Sequence, residues 1–301
     1  EHMLDVALLG CGGSIPVSHR YLSSVLVRYK GKMCLIDSGE YIQVALKELG
    51  WGLKNIDYIL LTHYHGDHLF GLFGLLQTIS NSERTEPLTI IGPKGIEKVS
   101  NAIKLLVPYL PYELIFIEQP DVITFLDLEI KTISLQHTIP CLGYSFYLKR
   151  QRRFDVDKAV KNHVPKEIWS KLQKGNTITL GDVTYTPEMV LGEERRGLKF
   201  SYITDSRPIS EIPSFIQDSN LFICEGMYGS DDDLEKAQNN YHMTFREAAT
   251  LAKLGNVDEL ILTHFSPKLE NPEKFLTNAQ EVFPNTVLGT NLLVRSLKYP
   301  D

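Results

Sequence analysis

Apolar residues recur along this chain in two rhythms, short unbroken runs and helically spaced stripes. The runs at 6–9, 25–27, 33–36 and 58–61, bounded by glycines or charged turns, predict buried strands. Residues 41–49 carry apolar positions at helical spacing and stop at Gly50 with Lys47 near the end, as a helix C-terminus does. A second helix is predicted from His68 through Leu76. Strands at 88–91, 114–117, 122–126, 130–135 and 143–148 follow, with a helix around 95–106 among them. The rhythm resumes with strands at 198–203, 221–224 and 260–262 and a helix starting at Phe245. Strand runs dominate each half, so the pattern predicts an α/β chain: two sheets packed face to face, helices outside, residues 1–301 in one domain. There is no internal repeat and no low-complexity linker.

Residues 149–196 break this rhythm. They are basic and polar, with turn signals at Gly175-Asn176 and Gly181-Asp182, and read as an excursion from the core within the domain. Charge sharpens the contrast. Between Lys149 and Lys174 stand nine Lys or Arg opposed only by Asp155, Asp157 and Glu167, giving +6 in a chain whose net charge is −6. A cluster of this kind is either a solvated face or an electrostatic footprint for a phosphate backbone.

The 301 residues, 43% hydrophobic, are ample for a large core. No run approaches the ~20 apolar residues that span a bilayer. Glu1-His2-Met3 has no basic region leading into an apolar one, so no secretion signal is expected; Glu1 and His2 read as an expression remnant and Met3 as the native start. Cys11, Cys34, Cys141 and Cys224 form no C-x-x-C pair and are expected as buried free thiols in a reducing compartment, the cytoplasm.

Chemistry concentrates in Thr62-His63-Tyr64-His65-Gly66-Asp67-His68, between an apolar strand and an apolar helix. Imidazole and carboxylate are what zinc takes when no thiolate is supplied. His63 and His65 alternate on extended backbone and can face one ion, while Asp67 and His68, past Gly66, diverge toward a second. Gly66 is expected to permit a tight backbone approach. Packing does not explain four such side chains beside a buried strand, because burying them uncompensated is costly. The same rule, a donor side chain just after a buried strand, picks out His137, Asp205 and His264. The set then holds five histidines and two aspartates, enough for two zinc ions and a bridging solvent.

H-x-H-x-D-H followed by isolated His, Asp and His resembles the metallo-β-lactamase superfamily. Within it the chain resembles the ribonuclease Z family, endonucleases that trim the 3′ trailer from precursor tRNA. The resemblance runs from about Leu4 to the C-terminus. It includes Leu9-Gly10-Cys11-Gly12-Gly13-Ser14-Ile15-Pro16, Asp37-Ser38-Gly39-Glu40, Gly71-Leu72-Phe73-Gly74-Leu75-Leu76, Thr204-Asp205-Ser206-Arg207-Pro208, His242-Met243-Thr244 and Thr263-His264-Phe265-Ser266. It implies an αββα sandwich with the site at one edge. His63, His65 and His137 would hold one zinc, Asp67, His68 and His264 the other, with Asp205 bridging. It also implies a homodimer in which the arm at 149–196 grips tRNA. Two departures bear on tRNA recognition: the arm has Val164-Pro165-Lys166 in place of a Gly-Pro-rich tip, and Pro16-Val17-Ser18-His19-Arg20-Tyr21 keeps only Pro and Arg of the family's P-x-K-x-R-N loop.

Two zinc ions about 3.5–4 Å apart would lower the pKa of a shared water, and the bridging hydroxide would attack phosphorus, with Asp67 orienting it and taking its proton. For the leaving ribose oxygen the sequence offers His242, just before a helix that Thr244-Phe245-Arg246-Glu247 opens with a capping box. Glu225, after the strand at 221–224, would orient His242, and the resemblance gives this pair the proton-donor role. Here Glu225 lies in Cys-Glu-Gly-Met-Tyr, where the family more often has E-A-T-F. Asp37 is placed to steer a ligand histidine from behind. Two other readings stay open: a superfamily hydrolase acting on small phosphodiesters or another ester, and a binding protein with a closed metal site, which the complete ligand set disfavours.

Overall fold

The computed structural model describes residues 4–300; the reading of Glu1–Met3 lies outside them. The chain divides into two compact units, one containing the residues through Tyr147 and from Leu198 onward, the other Leu148–Gly197.

In chain order the strands are β1 (Leu4–Gly10), β2 (Ser24–Tyr29), β3 (Lys32–Ile36), β4 (Ile56–Leu60), β5 (Leu88–Gly92) and β6 (Leu114–Glu118). Then come β7 (Val122–Phe125), β8 (Leu128–Ser134), β9 (Leu142–Arg150), β10 (Ile178–Leu180) and β11 (Val183–Tyr185). The last are β12 (Arg195–Ile203), β13 (Leu221–Glu225), β14 (Leu260–Thr263), β15 (Thr286–Leu288) and β16 (Leu293–Leu297). The large unit builds two seven-stranded sheets, ordered β16-β1-β2-β3-β4-β5-β6 and β15-β14-β13-β12-β9-β8-β7. Both are mixed: β1, β2 and β3 pair antiparallel while β3 to β6 run parallel, and β12 to β15 run parallel while β7 and β8 do not. This is the metallo-β-lactamase fold.

The unbroken apolar runs have a simple cause. Every residue of β1, β5, β13 and β14 is buried, as expected of strands covered on both faces. On one face of the first sheet Ala7, Leu9, Leu26, Leu35, Ile59 and Ile90 meet the apolar sides of the helices Ile42–Leu49, Leu72–Ser80 and Ile96–Leu106. The predicted stop at Gly50 is a left-handed cap at φ 78°.

One predicted helix is broken. In place of a continuous helix from His68 there are a turn at Gly66–Leu69 and a helix at Leu72–Ser80. The break falls where residues 37–39 cross: Gly71 N donates to Ser38 O (2.9 Å), and Ser38 N donates to His68 O (2.9 Å). Both segments need glycine here, since a Cβ on Gly39 would lie 2.1 Å from Asp67 O and one on Gly71 collides with the Gly39 carbonyl. The tight approach expected at Gly66 therefore belongs to Gly39 and Gly71; at Gly66 an added Cβ meets only the exposed ring of Phe70.

The small unit has a core of its own. Ala159, Val164, Ile168, Leu172 and Val190 are buried together under Phe154, Trp169 and Met189. The turn signal at Gly181-Asp182 is the tip of the β10–β11 hairpin, with Gly181 at φ 62°. Arg152 is bound bidentately to Glu188 (2.7 and 2.9 Å) and donates to Gly192 O, while Lys158 donates to Leu191 O (2.9 Å). These two cations tie the start of the unit to its 188–192 segment. Arg153, Lys161, Lys166, Lys171 and Lys174 are at least partly exposed.

Candidate metal centre and proton donor

In the parallel stretches of both sheets the strands end on the same side, where an α/β fold gathers its ligand groups. Asp37 follows β3, His63 follows β4 by three residues, Asp205 follows β12 by two, Glu225 closes β13 and His264 follows β14. Asp37, Asp205 and His264 turn the chain in the left-handed region, at φ 64°, 52° and 59°. Such backbone costs about 1–2 kcal/mol per non-glycine residue, and aspartate bears it more easily than histidine. Gly13 makes room for the last of them: a Cβ there would sit 2.7 Å from the His264 ring.

The predicted donors form two groups that share Asp205. One brings together His63, His65, His137 and Asp205, the other Asp67, His68, Asp205 and His264, each with its donor atoms within 4.8 Å of one another. Asp205 Oδ2 lies 3.3 Å from His63 Nε2 and 3.5 Å from His137 Nε2; Oδ1 lies 3.3 Å from His68 Nε2 and 3.2 Å from His264 Nε2. Asp67 Oδ2 lies 3.2 Å from both His68 Nε2 and His264 Nε2 and accepts from Ser14 N at 3.0 Å.

The opposite ring nitrogens are held from behind. His68 Nδ1 lies 2.6 Å from Asp37 Oδ2. Asp37 also accepts from Thr62 N (2.8 Å) and Thr62 Oγ1 (2.7 Å), and Thr62 Oγ1 is 3.0 Å from His63 Nδ1. His137 Nδ1 is 3.1 Å from Tyr241 O. These contacts orient the Nε2 atoms of His63, His68 and His137 toward the carboxylates. His242 is placed differently: its Nδ1 sits 2.9 Å from Glu225 Oε2, and its ring lies 5.3 Å from that of His137 and 5.5 Å from that of His264. A third donor group joins Glu225, His242 and His264, but Glu225 is fully buried and holds the nitrogen of His242 on which an orienting partner acts.

Charge follows this layout. Burial opposes ionisation of Asp205 and Asp67, yet the surrounding histidines outweigh it and keep both carboxyls well below the usual range. Burial pushes His63 down and His137 down to about 4, so both are neutral donors at pH 7. Burial also disfavours the His242 cation, but Glu225 outweighs it and lifts His242 to about 9.

His63 Nε2 and His68 Nε2 are fully buried and have no hydrogen-bond partner, although carboxylate oxygens lie within 3.3 Å. Imidazoles and carboxylates that converge in this way, with buried ring nitrogens left unpartnered, fit a metal ion. A profile of the metallo-β-lactamase superfamily matches residues 20–145. The chain is 56% identical to a ribonuclease Z of Clostridioides difficile (strain 630), over 99% of this chain and all of that protein. It is 49% identical to a ribonuclease Z of Clostridium botulinum (strain Alaska E43), again over 99% of this chain and all of that protein.

The chain belongs to the ribonuclease Z family. The short form of human tRNase Z shares its fold at a TM-score of 0.69 and 24% identity, covering 98% of this chain and all of that one. A metallo-β-lactamase fold protein of Bacillus subtilis does so at 0.72 and 19%, with the same coverage. Among the described residues no helix is long and apolar enough to cross a membrane.

Arg20 is the arginine that Pro16–Tyr21 shares with the family's P-x-K-x-R-N loop. It is buried, donates to Ser266 O (3.3 Å) and Leu269 O (2.8 Å), and lies over the Phe265 ring. It secures the loop after His264 and does not face solvent. Tyr241, whose carbonyl meets His137, carries no signal in the sequence, and Ser14, inside the Leu9–Pro16 stretch of the resemblance, meets Asp67 through its amide. Both act through the main chain, which no side-chain pattern reveals.

Proposed function

We propose that this ribonuclease Z family member is a zinc-dependent endoribonuclease that removes the 3′ trailer of precursor tRNA in the cytoplasm, acting as a homodimer. The reading rests on the His242–Glu225 pair standing against two donor groups in a chain alike from end to end to ribonuclease Z. His63, His65 and His137 would hold one zinc, Asp67, His68 and His264 the second, and Asp205 both. When bound, such a pair would lower the pKa of a coordinated water and neutralise charge on the attacking and leaving oxygens.

The chain's own residues supply the rest. Asp67, whose Oδ2 lies 3.2 Å from both His68 Nε2 and His264 Nε2, is placed to orient the attacking water and to accept its proton. Attack forms one bond to phosphorus and breaks the bond to the ribose oxygen, which needs a proton. His242 Nε2 delivers it, because Nδ1 is held by Glu225 and the ring is a cation at neutral pH. The small unit, with five basic side chains reaching solvent between Arg153 and Lys174, offers phosphate contacts that give affinity without sequence information. The test compares kcat/KM for a 3′-extended precursor tRNA with that for bis(p-nitrophenyl) phosphate. Strong preference for the RNA supports the proposal; turnover of the small ester alone contradicts it.

A further inference from the structure

The tripeptide Asp205-Ser206-Arg207 reaches every part of the site with a different atom. Asp205 stands among the donors of both metal groups. Ser206 N donates to Glu225 Oε1 (2.8 Å), the carboxylate that holds the His242 ring. Arg207 donates through its Nη1 to the His242 carbonyl (2.7 Å), and through both Nη atoms to Glu247 (2.8 and 2.6 Å). Glu247 Oε1 in turn accepts from Thr244 N (3.1 Å), closing the capping box of the helix Phe245–Leu254. Behind the tripeptide, Arg207 N donates to Gln136 O (3.1 Å) and Gln136 N to Ser206 Oγ (3.1 Å), next to His137.

We infer that Arg207 is a positioning residue for the proton donor: it fixes the distance between His242 and the metal donors by holding the His242 main chain from the segment that carries Asp205. This rests on the reading of His242 as the proton donor. The ring of His242 is anchored by Glu225 and its backbone by Arg207, and both anchors belong to, or are tied to, the same three residues. His242 lies between Tyr241, left-handed at φ 58°, and the capped helix. Without Arg207, the His242 carbonyl loses its side-chain anchor, leaving Glu225 on the ring and the bond from His242 N to Ala237 O (2.9 Å) to place the residue. A guanidinium is suited to this work, since its planar fork can bind a carboxylate bidentately and still offer an N–H to a carbonyl. The side chain is 15% exposed, so the pair with Glu247 is weakly screened by solvent.

Proton donation matters when the leaving group is a poor one, and misplacing a donor by about 1 Å can cost up to about 10²-fold. In the zinc-loaded protein Arg207→Ala should lower kcat on precursor tRNA about 10- to 100-fold. Its kcat on bis(p-nitrophenyl) phosphate, whose leaving group needs no proton, should stay within about threefold. The double variant Arg207→Ala/His242→Ala should be no slower than His242→Ala alone. Arg207→Lys, which keeps a cation facing Glu247, should recover part of the loss. Zinc content and melting temperature, measured on every variant, identify any that misfold; Glu247→Gln then serves as the second probe, weakening Arg207's anchor with the same split between substrates expected. Equal loss on both substrates, or additive losses in the double variant, would overturn the positioning role and leave the His242 assignment standing. If His242→Ala itself slowed both substrates equally, the donor assignment would fall and the positioning role with it.

Discussion

Replacing Asp37 by Asn changes almost no volume, and asparagine tolerates the left-handed backbone found there. The consequence should nevertheless reach both metal groups. Asp37 is fully buried and accepts three hydrogen bonds, from Thr62 N, Thr62 Oγ1 and His68 Nδ1. Asparagine must turn its amide nitrogen toward one side. If it faces His68, Nδ1 has to become an acceptor, and the proton moves to Nε2, the atom aimed at Asp67 and Asp205. The Thr62 hydroxyl can then turn toward His63 Nδ1, displacing the tautomer there as well. If the amide nitrogen instead faces Thr62 N, two donors oppose each other in a buried site. Binding zinc in either state costs about one buried hydrogen bond, ~1–3 kcal/mol. This corresponds to about 10- to 100-fold weaker metal affinity, the usual effect of losing an orienting partner. Competition against a chromophoric zinc chelator measures it, with ¹⁵N imidazole shifts reporting the tautomers of His63 and His68. Unchanged affinity at both sites would refute the orienting role. Loss confined to one ion would refute the relay through Thr62.

Elemental analysis of protein purified without chelator should find two zinc ions per chain; one or none contradicts the assignment of the two donor groups. The raised His242 must be protonated to act, so RNA cleavage should fall as pH rises through about 9, and Glu225→Gln, which removes the raising charge, should move that limb to lower pH. A pH profile unaltered by Glu225→Gln argues against their partnership. Changing Arg153, Lys161, Lys171 and Lys174 to Ala, with Arg152 spared because it binds Glu188, should weaken precursor-tRNA binding. The log–log salt slope should shrink by ~0.7–0.9 for each phosphate that is no longer neutralised. An unchanged slope would make this face a solvated surface.

Much of this was legible because two physical signals are local. A strand buried on both faces needs an unbroken apolar run, and a metal donor needs a place at the strand's end; together they picked out His63, His137, Asp205 and His264 from residue order. The capping box at Thr244 and the stop at Gly50 are equally local. Contacts between distant backbones were not. The crossing of Gly39 and Gly71 that splits a predicted helix depends on two segments about thirty residues apart, and its glycines look like ordinary loop residues in sequence. The edge strands β15 and β16 escaped notice because Thr286–Leu288 is only three residues long and Leu293–Leu297 alternates half-buried with exposed positions. Residues 149–196 read as polar because their core is small, five buried side chains spread over some thirty positions. Charge counting also places Arg152 among the surface cations, whereas hydrogen bonds to a carbonyl and a carboxylate tie it into the structure.

The central claim, endonucleolytic removal of a tRNA trailer at this site, is tested most directly by mapping the products from an end-labelled, 3′-extended precursor tRNA. Zinc-loaded protein should release the trailer in one piece by a single cut near the end of the acceptor stem, and Asp67→Ala should abolish that cut. A ladder of stepwise shortened products, cleavage spread along the RNA, or full activity in the Asp67→Ala variant would contradict the account.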